Sequence, residues 1–397
     1  MPYLDLGAIP LVNRYVAPDD VDAAEPRFPL VILRCASCSL SQLSLVVDRD
    51  VLYGHYLYRS SIARTFVEHC RDGARSLVAS LGLGPRDLVV DLASNDGCAL
   101  REFAVQGVRV LGVEPARNLA DLARASGVPT VAEFWSASTA ERLVAEHGPA
   151  RLVTAMNVLA HVDDPGAFLD AVAMVLAPDG TLVVEVPYLV NFVNRYEFDT
   201  TYHEHLSYFL VRPLLRLFAD HGFVITDIRP FEIHGGTLRI FARRHGASGA
   251  TPNARAIDRC LALERDLGLY DHAAYSRFSK DVLRIKAELV ECLVALRRAG
   301  GTIAAYGASA KGTVLTNYCG IGRELLDYVV DDTPEKQGLL TPGMRIGIVS
   351  AAQLREARPD YLLLLAWNFA EELIAKTRDY RDEGGRYVIP IPSIRII

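Results

Sequence analysis

Leu88-Val89-Val90-Asp91-Leu92-Ala93-Ser94-Asn95-Asp96-Gly97 stands about a quarter of the way along this 397-residue chain. Its first five positions form a short aliphatic run of buried-strand length. The next five are small or polar, as suits a tight turn that opens a helix. The pattern then repeats. Val108 to Val113, Arg151 to Met156 and Thr181 to Val186 are further strand-length apolar runs, separated by helical spacing. Strands alternating with helices predict a mostly parallel sheet wrapped by helices.

Outward from this unit the chain divides in three. Residues 1–65 read as a small irregular unit, broken by Pro2, Pro10, Pro18, Pro26 and Pro29. It ends in an aromatic cluster, Tyr53, Tyr56 and Tyr58, followed by Ser60 and Ser61. A helix is expected over Ile62 to Leu81, stopped by Gly82 and Gly84. The α/β unit is assigned to residues 66–235 and a C-terminal unit to 236–397. Residues 251–299 predict two long helices; Phe278, Val282, Ile285, Leu289, Cys292 and Leu296 form one apolar stripe that suits packing. After them, Thr302 to Tyr306, the turn Gly307-Ala308-Ser309-Ala310-Lys311-Gly312, and the runs at Tyr328, Tyr361 and Arg386 alternate again. The fold class expected is α/β, with two Rossmann-like domains and a small N-terminal domain.

Composition narrows the function. Half of the residues are hydrophobic and 23% are charged, an ordinary globular balance. A net charge of −6 and the lack of a basic block argue against nucleic acid or an anionic membrane as partner. No stretch reaches the roughly 20 apolar residues of a membrane-spanning helix, and no basic segment followed by an apolar one opens the chain. Seven scattered cysteines fit a reduced, cytoplasmic protein better than a disulfide framework.

The 91–97 turn suits a ligand that the backbone approaches closely. Asp91, Ala93, Ser94, Asn95, Asp96 and Gly97 are its candidate cofactor residues. Glu114, in Gly112-Val113-Glu114-Pro115, follows the second strand, where an acid suits a ribose diol. Asn157 follows a later strand. An ordinary strand-to-helix turn explains the first segment alone; the order of the three raises the binding reading. The Gly-x-Gly-x-x-Gly series of a dinucleotide site is missing, so S-adenosylmethionine fits better than a nicotinamide dinucleotide.

Tyr202-His203-Glu204-His205 gathers groups suited to acid–base chemistry, and histidine is the natural base near neutral pH. Two plainer readings stand beside this one. A zincin-type metal site needs His-Glu-x-x-His, and Ser207 occupies the last position. A helix start capped by Asp199 or Thr200 would leave the four residues solvated. His161 would lie at the carboxyl edge of the sheet, or be a surface histidine. His234-Gly235-Gly236 reads as a turn.

These motifs, together with Leu206-Ser207-Tyr208-Phe209, Thr237-Leu238-Arg239, Lys336-Gln337-Gly338, Thr341-Pro342-Gly343 and Ala366-Trp367-Asn368-Phe369-Ala370, occur in one order nearly end to end. In this the chain resembles the sugar C-methyltransferases of bacterial deoxysugar and antibiotic biosynthesis, whose middle domain is of class I methyltransferase type. The resemblance implies S-adenosylmethionine as methyl donor and a nucleotide-linked 4-keto sugar, expected to carry thymidine, as acceptor. It maps the base to His205, with Glu204 and Tyr202 in support and Tyr56 and His161 as further active-site residues. His205 would take the C-3 proton, and Tyr56 or His161 would hold the enolate oxygen. Tyr58, Ser60, His234, Lys311, Asp331 and Asn368 are the substrate-binding candidates, with Lys311 and the 307–312 amides facing the diphosphate.

One departure concerns zinc. The family's N-terminal domain carries two Cys-x-x-Cys pairs, and only Cys35-Ala36-Ser37-Cys38 is present here; the other pair would precede Met1. Two thiolates do not complete a structural site, so zinc binding as in the family is not expected. A keto-sugar isomerase without methyl transfer and a non-catalytic pathway partner are the alternatives from other classes.

Overall fold

A computed structural model describes every residue except His55, Leu57 and His234. Residues 1–65 are more regular than their prolines suggest. Strands β1 (Pro2–Pro10), β2 (Arg27–Arg34) and β3 (Ser41–Leu43) form an antiparallel sheet. Its prolines sit where a missing N–H is tolerated. Pro2 and Pro10 terminate the edge strand β1, and Pro29 lies outside the Ile32–Arg34 stretch that pairs with β3. A fourth strand, Ser207–Tyr208, comes from far along the chain and pairs with Ser41 and Gln42.

The central sheet is built from β4 (Leu88–Leu92), β5 (Arg109–Val113), β6 (Thr130–Val131), β7 (Ala150–Met156) and β8 (Leu176–Pro187), all parallel. After β9 (Ser207–Tyr208) come β10 (Phe223–Phe231) and β11 (Thr237–Arg244), an antiparallel hairpin. The order is β10-β11-β8-β7-β4-β5-β6, with β11 antiparallel to both neighbours. With β4 as first strand, this is the class I methyltransferase order, strand seven reversed between strands five and six. The expected boundary at 235/236 falls inside the β10–β11 hairpin, so the sheet continues to Arg244. Gly236 permits that turn: its φ is +110°, and a Cβ there would overlap the Asn191 amide.

Helices Ala254–Asp266 and His272–Arg298 follow. The second buries Phe278, Val282, Ile285, Leu289 and Leu293, so Leu293 takes the place expected of Cys292, and Leu296 is half-buried. The last sheet comprises β12 (Ile303–Tyr306), β13 (Val329–Val330), β14 (Ile348–Val349), β15 (Tyr361–Leu364), β16 (Arg386–Ile389) and β17 (Arg395–Ile396). Its order is β14-β13-β12-β15-β16-β17, parallel except for β17. This is the second Rossmann-like domain.

One continuous hydrophobic core links the three units, from Tyr3 and Ile32 through Val184 and Tyr275 to Val314. The N-terminal unit also bonds directly to the C-terminal one, through Tyr15 to the Ala308 carbonyl at 2.6 Å and Arg345 to Glu25 at 2.9 Å. Among the described residues, no helix is long and apolar enough to cross a membrane.

Candidate active site

All three units open onto one cleft of about 1180 Å³, at the carboxyl ends of β4, β5, β7, β8 and β12. This is where open α/β sheets bind ligands, because the loops leaving those strand ends diverge there.

On the central-sheet side, Ala93, Asn95, Glu114 and Asn157 line the cleft. Ala93, Asn95 and Asn157 have φ of +50°, +53° and +57°, a conformation that costs energy for a residue with a Cβ and clusters at functional sites. Glu114 accepts hydrogen bonds from the Asn95 amide at 2.8 Å and the Ala116 amide at 2.9 Å. Burial pushes its carboxyl up to about 6. The other turn residues stand behind this wall rather than in it. Asp91 is buried and accepts from Thr154 Oγ1 at 2.6 Å, Asp96 accepts from Ser61, Ser94 packs on Gly112, and Gly97 starts the next helix at φ +76°. They shape the turn; Asp91 is too deep to meet a ligand in the cleft.

Tyr202, Glu204 and His205 line the same cleft, in a turn between the 3-10 segment Phe198–Thr200 and β9. No helix starts here, Glu204 is buried, and Tyr202 and His205 are half-buried in the cleft wall, so the capped-helix reading fails. His205 Nδ1 lies 2.8 Å from the Thr200 carbonyl oxygen. A carbonyl only accepts, so Nδ1 carries a hydrogen, and in the neutral ring Nε2 carries the lone pair. Tyr202 packs on the imidazole at a ring separation of 4.0 Å, and His161 meets it edge-on at 4.8 Å. Burial depresses His161 to about 4, so it is neutral at pH 7, and its Nδ1 is 3.0 Å from the Tyr53 hydroxyl. His203 points the other way, to the Phe28 carbonyl at 3.2 Å.

Glu204 is held on both oxygens, by Tyr56 Oη at 2.8 Å and Asn13 Nδ2 at 2.7 Å. Burial pushes its carboxyl up to about 7, and the two donors pull it back only in part. Asn13 and Tyr53 are site residues that sequence reasoning did not single out. Tyr53 was visible only as a member of an aromatic cluster; Asn13 reaches Glu204 across 191 residues of chain, and no local pattern marks it.

The substrate-binding candidates separate. Tyr58 and Ser60 lie against the cofactor turn, where the Tyr58 carbonyl accepts from Asn95 Nδ2 at 3.1 Å and the Ser60 amide donates to Asn95 Oδ1 at 3.0 Å. Lys311, Asp331 and Asn368 line the cleft from the C-terminal sheet. Asp331 Oδ1 accepts from the Thr333 amide at 2.9 Å, and Lys336 Nζ lies 3.6 Å from Oδ2. Lys311 has Trp367 under its ammonium at 4.9 Å and the carboxylates of Glu197 and Asp199 nearby. His234 lies outside the described residues.

Residues 63–228 match the family model of a methyltransferase domain, and residues 232–392 that of the C-methyltransferase C-terminal domain. The whole chain is similar to C-methyltransferase NovU of Streptomyces niveus, 39% identical over 395 residues, which are 99% of this chain and 93% of that one. The chain belongs to the C-methyltransferase family. Family membership and the sheet order make it a methyltransferase that depends on S-adenosylmethionine. A shorter similarity, 33% over 98 residues, joins it to the ubiquinone biosynthesis O-methyltransferase of Xylella fastidiosa (strain 9a5c), covering 24% of this chain and 40% of that one. The magnesium protoporphyrin IX methyltransferase of Synechocystis PCC 6803 with bound SAM superposes with a TM-score of 0.34 at 16% identity, over 49% of this chain and 88% of that one.

The cleft fits the methyl donor of this C-methyltransferase. The turn at Ala93 and Asn95 brings backbone to the cleft wall, and Glu114 presents an acid to it. Zinc fits less well. Residues 1–53 match a family model described as "Putative zinc binding domain". Cys35 and Cys38 are free thiols in the β2–β3 turn, and among the described residues no third histidine, cysteine or acid joins a metal-holding group. Two donors fall short of the four a structural zinc takes.

Proposed function

We propose that this C-methyltransferase acts on a thymidine-diphosphate 4-keto deoxysugar in the cytoplasm, placing the methyl group on C-3 through an enolate that His205 generates. The observation that carries the reading is the His205 contact to the Thr200 carbonyl. It fixes the neutral tautomer with Nε2 as the basic nitrogen, inside a cleft shared with the cofactor wall.

His205 Nε2 takes the proton from C-3, and the bonding electrons move onto the C-4 oxygen. A hydrogen-bond donor must meet that oxygen. Tyr56 already donates to Glu204, which favours neutral His161. Its Nδ1 pairs with the Tyr53 hydroxyl; in the tautomer in which that nitrogen accepts, Nε2 carries the hydrogen that meets the oxygen. S-adenosylmethionine supplies the electrophilic methyl group when bound, with Ala93, Asn95, Glu114 and Asn157 as its holding residues. Tyr202 keeps the imidazole plane in place, and Glu204, clamped by Asn13 and Tyr56, keeps the turn rigid. Positioning of this kind and charge stabilisation supply most of the acceleration in such reactions. Asp331 suits a ribose hydroxyl of the acceptor, and the amides opening the Ala310–Cys319 helix suit its diphosphate. All seven cysteines are free thiols, which suits a reducing compartment.

His205→Asn keeps the Nδ1-like donor and removes the base. Methyl transfer should fall by roughly a thousandfold, within the span of general-base effects, while S-adenosylmethionine binding by calorimetry stays within a few-fold. Turnover close to wild type would remove His205 from the role.

A further inference from the structure

Lys311 Nζ and Glu197 Oε1, on residues of the cleft wall, and Asp199 Oδ1 behind them are buried atoms without a hydrogen-bond partner among the described residues. Lys311 and Glu197 line the cleft, and Asp199 stands behind them with its other oxygen taken by Trp367 Nε1 at 2.6 Å. Glu197 is only 5% exposed and Asp199 is fully buried. Leaving such groups unpaired is costly in a folded protein, so a buried donor and a buried acceptor on residues that line one cavity mark a place for a ligand group. Gly235, at φ +92°, makes room for the Glu197 carboxyl, since a Cβ there would collide with it.

The chemistry of the pair selects the group. A phosphate oxygen would accept from Lys311 and be repelled by two carboxylates. An ammonium would satisfy Glu197 and be repelled by Lys311. A hydroxyl donates to Glu197 Oε1 and accepts from Lys311 Nζ, and so satisfies both with no charge brought in. We propose that Glu197 and Lys311 form a specificity subsite for one ring hydroxyl of the acceptor, with Asp199 balancing the lysine charge. The lysine is thereby assigned to a hydroxyl and not to the diphosphate. This rests on the keto-sugar reading above.

Burial agrees with the assignment. It pushes Glu197 up to about 7 and Asp199 up to about 6, with Lys311 pulling both back. The carboxyl therefore sits where a hydroxyl donor would help to hold it ionised near neutral pH.

The test compares Lys311→Met and Glu197→Gln with wild type on a parent thymidine-diphosphate 4-keto hexose and on analogues lacking one ring hydroxyl at a time. Methyl transfer is read as kcat/KM, and S-adenosylmethionine calorimetry checks that each variant is folded. For one analogue, wild type should lose roughly 10- to 100-fold relative to the parent, the worth of a hydrogen bond to a charged group. Each variant should lose a similar factor on the parent, and removal of that hydroxyl should then cost it about twofold or less, because the interactions are one and the same. Equal loss on the parent and every analogue, or no loss on the parent, would overturn the subsite. If wild type binds S-adenosylmethionine but methylates no member of the panel, the keto-sugar reading itself fails and the subsite falls with it.

Discussion

Glu204 shows what a buried carboxyl does to both site and stability. It is 3% exposed, and among the described residues two neutral donors, Tyr56 and Asn13, compensate it. Its folded value of about 7 lies above the ordinary glutamate value of 4.5. Between those values the folded protein binds more protons than the unfolded chain, so this group's stabilisation is full at low pH and is lost as pH rises through 7. Glutamine at 204 carries no such dependence. Unfolding free energies of wild type and Glu204→Gln should therefore diverge between about pH 4.5 and 8, with wild type losing on the order of 3 kcal/mol relative to the variant. Parallel curves would show that Glu204 does not titrate in this window. At this scale the sequence was partly readable. The Tyr202–His205 run stood out by its chemistry, yet nothing local foretold that Glu204 would be held by Asn13, or His161 by Tyr53 across 108 residues. Asp91 misled for a related reason: a polar residue at a strand end looks like a ligand contact until the neighbouring strand brings Thr154 against it.

Elements are tied together by one buried ion cluster. Glu185 on β8 is fully buried and lies 2.6 Å from Arg239 on β11 and 2.9 Å from His69 on the Arg64–Leu81 helix. Burial pushes Glu185 up, but His69 and Arg239 outweigh it and hold the carboxyl below its usual value. The cluster fixes the reversed strand and the helix against the sheet beneath the cleft. Arg239→Met would strand the carboxylate, and losing one partner of a buried pair costs about 3–5 kcal/mol. Urea unfolding should show a loss of that size; a change below about 1 kcal/mol would mean that His69 alone suffices. Strand existence was legible here because β4, β5, β7 and β15 are aliphatic runs that need no distant partner to be recognised. The N-terminal sheet was not. Its fourth strand is only two residues long and arrives from position 207, and its prolines signal breaks unless the edge position of β1 is known.

At the scale of the molecule, the cleft exists only because three units share one core. Asn13 comes from the first, the cofactor wall and His205 from the second, Lys311 and Asp331 from the third. Alternation of strand and helix predicted both Rossmann-like sheets, but which strand ends would face each other across a cleft depends on packing of the two long helices and is absent from any local window. The account's central claim is that the assembled cleft methylates the carbon beside a sugar carbonyl. The most direct test supplies the protein with S-adenosylmethionine labelled with carbon-13 in the methyl group and a thymidine-diphosphate 4-keto deoxysugar, and reads the label's position by NMR. The account predicts the label bonded to ring carbon C-3. Label on another ring carbon or on oxygen, or deuterium entering C-3 from heavy water with no methyl transferred, would contradict it.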